Sequence, residues 1–239
     1  MQQPIKPKPL TLLPNATERQ CFMHALYTHC ISSSYIVCIS GLFVGIVLTL
    51  QGVYLLEKFS AQNQVGHMVI ASILRELGPV ITALLFIGNI GSSSTAEIGI
   101  MRLTEQESAL ISLGISPARY LYIPKFLAGI VALPLLLILF LTFATLGAMH
   151  VATSLGIDSG IFWISVRNNI FASDVHSGFI KIIIFSIMIQ CTSLIYGKTS
   201  KRSSQGIALA TTHCVVFASV MVFTLDALLT SYFLKEIWQ

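Results

Sequence analysis

Residues 75–134 read RELGPVITALLFIGNIGSSSTAEIGIMRLTEQESALISLGISPARYLYIPKFLAGIVALP. An apolar helix carries the adjacent charges Arg75 and Glu76, then meets Gly78 and Pro79. A run of small residues follows (Gly88, Gly91, Ser92, Ser93, Ser94), and after it the polar amphipathic segment TEQESALISLGIS. Beyond a basic patch the chain turns apolar again. Two membrane spans joined by a short structured helix would give this pattern, which is the plan of a transporter's membrane subunit.

The composition agrees with that frame. Of the 239 residues, 54% are apolar and 10% charged, where soluble domains carry about 25% charge. A soluble chain so poor in charge would expose large apolar patches and aggregate. The apolar runs are long enough for helices of about 20 residues across a hydrocarbon core of about 30 Å. Alternating segments of about 10 residues, the mark of a membrane β-barrel, are not seen. The expected fold is therefore an all-α integral membrane protein with five transmembrane helices.

Residues 1–34 form a leader and an interfacial segment. Pro4, Pro7, Pro9 and Pro14 with Lys6, Lys8 and Arg19 make a solvated basic stretch without the apolar core of a signal peptide. From Thr17 to Ser34, Phe22, Met23, Leu26, Tyr27 and Ile31 suit a helix lying along the membrane surface. Residues 35–239 form the membrane domain, with spans expected at about 35–56, 65–90, 122–149, 178–196 and 207–234. In the first span Gly41 and Gly45 have the GxxxG spacing that lets another helix approach closely.

The second span holds the strongest functional signal. Glu76 lies 11 residues inside it, about 16 Å deep. A charge at that depth is costly, avoids lipid and marks a functional site or a polar pair. The ring of Pro79 clashes with the carbonyl four residues earlier, that of Arg75, and so frees a backbone acceptor beside the charges. A structural ion pair joining two helices is the simpler reading, and the two are compatible.

Between the second and third spans, Thr104 followed by Glu107 fits a capping box, and the helix expected over 104–115 is a natural docking element for a soluble partner. The third span is expected to kink or restart near Pro134. Lys181 lies near the start of the fourth span and Asp226 inside the fifth. In GKTSKRSSQG, the trio Gly197, Lys198 and Thr199 resembles the end of a phosphate-binding loop, but Thr192 stands where that loop needs Gly and a membrane helix precedes it. The five cysteines and six histidines show no metal-type spacing, so neither a metal site nor a disulfide framework is expected.

Charge asymmetry sets the expected orientation. The leader and the loops between spans two and three and between four and five share Lys6, Lys8, Arg19, Arg102, Arg119, Lys125, Lys198, Lys201 and Arg202. The opposite side holds Lys58, Arg167 and Lys235. The N-terminus is thus expected in the cytoplasm and the C-terminus outside, which puts the 104–115 helix within reach of a cytoplasmic ATPase.

RELGPV, GSSSTAEIGIMRLTEQESAL and SPARYLYIPKFLAGIVALPLL resemble the signature of the MlaE permeases, membrane subunits of MCE-type ABC transporters. GLFVGIVLTLQG, GIDSGIFW, GIALATTHCVV and the stretch from Asp226 to Thr230 extend the resemblance over residues 35–234. Gly88-Asn89 and His213 depart from it, where the family often carries Arg.

The resemblance implies a homodimer in the bacterial inner membrane, N-terminus cytoplasmic and C-terminus periplasmic, with no catalytic residues of its own. ATP and Mg would be bound by a separate MlaF-like ABC ATPase. An MlaD-like MCE-domain ring protein would sit on the periplasmic side, and in many members an MlaB-like STAS-domain protein accompanies the ATPase. The cargo would be phospholipid, moved to maintain outer-membrane lipid asymmetry, with no role for nucleic acid. By the same resemblance, Thr104, Glu105, Gln106, Glu107, Leu110 and Leu113 belong to the coupling helix that docks on the ATPase. Arg75, Glu76 and Lys181 contribute polar groups near a lipid pocket at the dimer interface.

A lipid carrier needs an apolar cavity with a few polar groups at one level, and the planar fork of Arg suits two phosphate oxygens. Glu76 and Lys181 are expected to pair or gate, with Arg75 nearest the headgroup; Lys181 must reach inward to do so. The alternative is an ion-coupled secondary transporter using Glu76 and Asp226, which would favour an inverted repeat that the halves do not show. A membrane-embedded lipid-modifying enzyme would need a His/Asp or Ser/His cluster, which is not visible. The blandest reading is an assembly scaffold.

Overall fold

The structure, a computed structural model, describes residues 16–114, 116–170 and 172–237. The leader before residue 16, with Lys6 and Lys8, lies outside the described residues, as do Ile115 and the side chains of Arg119 and Lys235. All described elements are helical, and five helical runs are long and apolar enough to cross a membrane: Arg19–Glu57, Gln62–Leu103, Tyr120–Ser154, Ser173–Thr199 and Ser204–Phe233.

The first helix, α1 (Ala16–Glu57), is unbroken over 42 residues, about 63 Å. That exceeds the hydrocarbon core by a factor of about two, so one rod accommodates both the span and the turns before Tyr35. The second run is segmented: α2 (Val65–Ser72), a wide π turn at Ile73–Leu77, α3 (Gly78–Phe86), a second π turn at Ile87–Gly91, and α4 (Ser92–Leu103). It extends past the expected end at Ile90 because its small polar residues are packed against α8 (Ala172–Thr199). There Thr95 is buried with its Oγ1 3.1 Å from Ser193 Oγ. The third span is α6 (Ile123–Ser154), which passes through Pro134 without restarting. Neighbouring helices make such an interruption tolerable in a membrane bundle. The short α7 (Ser159–Asn169) starts at Asp158, whose carboxylate accepts from the Gly160 amide, and seats Phe162 in the core. The last span is α9 (Ser204–Ile237).

The capping box expected at Thr104 does not form. The linking helix α5 is Gln106–Ser112, seven residues long, and its cap residue is Glu105 in a left-handed conformation at φ 55°. The Thr104 hydroxyl bonds back to the Ile100 carbonyl instead, at 2.9 Å, so it finishes α4 rather than starting α5. Glu107 turns to the protein: it accepts from the Tyr122 hydroxyl at 2.6 Å and lies 3.7 Å from Arg102.

α1 and α6 lie backbone to backbone. A Cβ on Gly41 would come within 2.7 Å of the Phe140 carbonyl oxygen, one on Gly45 would overlap the Ala144 carbonyl, and one on Gly147 would meet Leu42 O at 2.5 Å. The glycines of both helices are thus used for close approach. The core, built on Ile73, Phe86, Leu133, Leu136, Leu137 and Phe140, sits where the second and third spans meet. Many of the outward residues elsewhere are apolar, as α9 shows with exposed Leu209, Val216, Val220 and Phe223. They form a surface suited to lipid or to other apolar helices.

Candidate functional site

Glu76 and Arg75 lie within the first π turn of the second span. The wide turn and Pro79 have the same local origin. Proline cannot donate to the carbonyl four residues before it, and that carbonyl belongs to Arg75. It does not stay unused: Lys181 Nζ donates to Arg75 O at 3.2 Å. Gly178 makes this reach possible, because a Cβ there would run into the Leu74 carbonyl. α8 therefore packs directly on the π turn, and Lys181, one turn further along, enters the second span's polar break.

Lys181 is 1% exposed. Its ammonium donates to Glu76 Oε2 at 2.6 Å and to Thr230 Oγ1 at 2.8 Å, and lies 2.9 Å from Asp226 Oδ1. The Thr230 hydroxyl in turn donates to Glu76, 3.0 Å from Oε2. Asp226 and Thr230 are four residues apart and share one face of α9. A buried ammonium is tolerated only when its three donors and its charge are answered, and here the second span and α9 answer them. Beside this cluster, Arg75 Nη2 pairs with the buried Asp174 at 2.6 Å. The network holds two cations, Arg75 and Lys181, against three carboxylates, Glu76, Asp174 and Asp226.

Arg75, Glu76, Asp174 and Lys181 line a cavity of about 390 Å³ together with Ser177, Thr230 and the apolar Ile180 and Phe233. Arg75 and Glu76 are 39% and 40% exposed, and Lys181 lies beneath them. The site therefore presents one cation and one anion at its mouth, held by a buried second layer. Such an arrangement can bind a headgroup that carries both signs of charge and place apolar chains along the walls.

The structure brings Arg75, Glu76 and Lys181 together, with Pro79 beside them. Gly41 and Gly45 belong to the α1–α6 contact. On α5 and its flanks, Gln106, Glu105, Thr104 and Leu113 are exposed, while Glu107 and Leu110 are half-buried. Asp174 escaped the sequence reading, as did the grouping of Asp226 and Thr230 with Lys181. The available signals were spacings: Asp174 stands seven residues, two turns, before Lys181. Among the described residues no group of His, Cys, Asp and Glu is arranged to hold a metal.

Comparison with known proteins bears on what such a bundle is. The family model for the permease MlaE matches residues 22–232. The chain belongs to the MlaE permease family. Relatives of this MlaE-family chain include the intermembrane phospholipid transport system permease protein MlaE of Haemophilus influenzae, 43% identical over 203 residues, covering 84% of this chain and 78% of that one. A probable ABC transporter permease of Rickettsia prowazekii is 34% identical over 201 residues, 84% and 78% of the two chains. The chloroplastic protein TRIGALACTOSYLDIACYLGLYCEROL 1 of Arabidopsis thaliana is 31% identical over 83% of this chain and 57% of its own length.

Proposed function

We propose that this MlaE-family permease is the membrane subunit of an ATP-driven phospholipid transporter of the inner membrane. In this reading the Arg75–Glu76–Lys181 cavity holds the lipid headgroup. The observation that carries it is the buried Lys181 ammonium holding a carboxylate from each of two other helices under a half-open mouth of opposite charges. A packing device alone needs no cavity, whereas a carrier of amphipathic molecules needs a polar level inside an apolar bundle.

Arg75 faces the lipid phosphate with its bidentate fork, and Glu76 faces an amine where the headgroup has one. Lys181 fixes Glu76 from below. Because Lys181 also ties α8 to α9 and to the π turn of the second span, a headgroup competing for Arg75 or Glu76 loosens the contacts that hold three helices together. That coupling makes occupancy and helix arrangement depend on each other. The ATPase supplies the energy from the cytoplasmic side, docking on the exposed surface around α5, with the N-terminus on that side and the C-terminus periplasmic. A homodimer would cover the exposed apolar face, and an MCE-domain ring would receive lipid outside, with outer-membrane asymmetry as the consequence. The names of the relatives from Haemophilus and Rickettsia support the phospholipid and ABC parts of this reading. They favour it over an ion-coupled carrier, in which Glu76 and Asp226 would bind the ion that Lys181 here replaces.

The test is ATP-dependent transfer of labelled phospholipid between proteoliposomes holding the permease with its ATPase and acceptor vesicles or MCE protein. Transfer that requires ATP and drops at least tenfold in Glu76→Gln, with assembly intact, supports the reading. Transfer that follows a proton gradient without ATP rejects it.

A further inference from the structure

A second polar cavity, of about 260 Å³, lies at the far end of the bundle between α1, α4 and the start of α6. Glu97 lies 21 residues beyond Glu76 on the same helical run, about 30 Å along it. The two cavities share no lining residue and lie far apart along the bundle.

The far cavity is built around an ion pair and a buried imidazole. Lys125 Nζ lies 2.6 Å from Glu97 Oε1; Lys125 is largely buried and Glu97 about half exposed. Beyond Glu97, the buried Lys125 ammonium finds no hydrogen-bond partner among the described residues, although it carries three donors. His29, 7% exposed, lines the same cavity, and both its ring nitrogens are buried without a partner among the described residues. Buried polar atoms without partners are uncommon. His24, Tyr120 and Ser93 add further polar groups to the walls. Next to the cavity, Asn89 Nδ2 donates to Ser32 O at 2.9 Å and to Ser33 Oγ at 3.1 Å, which clamps α1 to the second span.

We infer that this cavity is a second headgroup site, at the end of the bundle away from the Arg75–Glu76 site, and that it takes a zwitterionic phosphate–ammonium headgroup. The phosphate accepts from Lys125 and His29, and the ammonium meets the exposed carboxylate of Glu97. The inference rests on the phospholipid reading above. It assigns the headgroup chemistry at the start or end of the path, where a lipid exchanges with the membrane.

The experiment uses the permease with its ATPase in nanodiscs and a photo-crosslinking amino acid at Ala25, which lines this cavity, or at Ser177, which lines the first. The probes are phosphatidylethanolamine nanodiscs, phosphatidylglycerol nanodiscs, and soluble glycerophosphoethanolamine as competitor. The expected result is lipid crosslinking at Ala25 that is at least tenfold stronger with the ethanolamine lipid and loses that preference in Glu97→Gln. His29→Phe keeps the ring against Phe86, its neighbour at 6.3 Å, and removes the unpartnered nitrogens; it should leave the fold intact and lower the Ala25 crosslink about tenfold. An Ala25 crosslink that is absent, headgroup-blind or unchanged by His29→Phe, beside a strong one at Ser177, overturns the second site and leaves the first. Lack of lipid at both positions overturns the phospholipid reading itself. Displacement of the Ala25 crosslink by micromolar glycerophosphoethanolamine would show that the site serves a soluble phosphodiester, which overturns the lipid assignment.

Discussion

Lys181 and Glu76 are 105 residues apart in the chain, and their charged atoms are 2.6 Å apart in the bundle. That contact joins the fourth span to the π turn of the second, and Asp226 and Thr230 bring in the fifth. Its geometry leads to the following expectations.

Removing the ammonium leaves the partly exposed Glu76 and Asp226 carboxylates side by side without their cation. Lys181→Met should therefore destabilise the bundle by about 1–3 kcal/mol, less than stripping one partner from a fully buried pair, because water reaches Glu76. Thermal unfolding in detergent reads this directly. The double variant Lys181→Met with Asp226→Leu should recover part of the loss, because it removes the uncompensated charge.

Glu76→Gln keeps the shape and an acceptor for Lys181 and Thr230 but removes the negative charge at the cavity mouth. The expected outcome is normal assembly with transport impaired about tenfold or more. Lipid transfer measured beside gel-filtration profiles separates the two effects; normal transport would show that the charge has no part in it.

The α1–α6 contact predicts a sharp contrast between two chemically identical changes. Gly45→Ala places a methyl on the Ala144 carbonyl and should destabilise by about 1–3 kcal/mol. Gly88→Ala meets nothing within 4 Å and should be neutral, or stabilising by a few tenths of a kcal/mol through helix propensity. Paired melting curves check both.

The docking surface makes a prediction that distinguishes contact from fold. Leu113 is 73% exposed, so Leu113→Arg should leave the melting temperature unchanged and release the ATPase in a pull-down. Glu107→Lys is a less clean probe, because Glu107 also holds Tyr122 and faces Arg102.

Much of this was legible from residue types and spacing. Apolar runs gave five spans, the depth of Glu76 marked the polar level, and Pro79 pointed to the Arg75 carbonyl that Lys181 occupies. What the sequence hid depends on how helices meet. Asp174 sits at a helix start, where an acid is ordinary, and only the packing of α8 on the π turn turns it toward Arg75. Asp226 was visible as a charge in a span, but its partner lies on another helix and no spacing names it. The capping box failed for a local reason: the Thr104 hydroxyl had a competing carbonyl one turn back, and serine and threonine take that option readily. The second cavity stayed hidden because His29, Glu97 and Lys125 come from three helices.

The most direct test of the account is purification of the tagged permease in mild detergent, with bound phospholipid and ATPase activity both measured. The expected result is a co-purifying ATPase and about one phospholipid or more per complex, with the lipid reduced by Glu76→Gln and the ATPase lost in Leu113→Arg. A permease that comes away alone and lipid-free, yet is active in a proton-driven assay, would contradict it and make Glu76 and Asp226 the ion sites of a different kind of carrier.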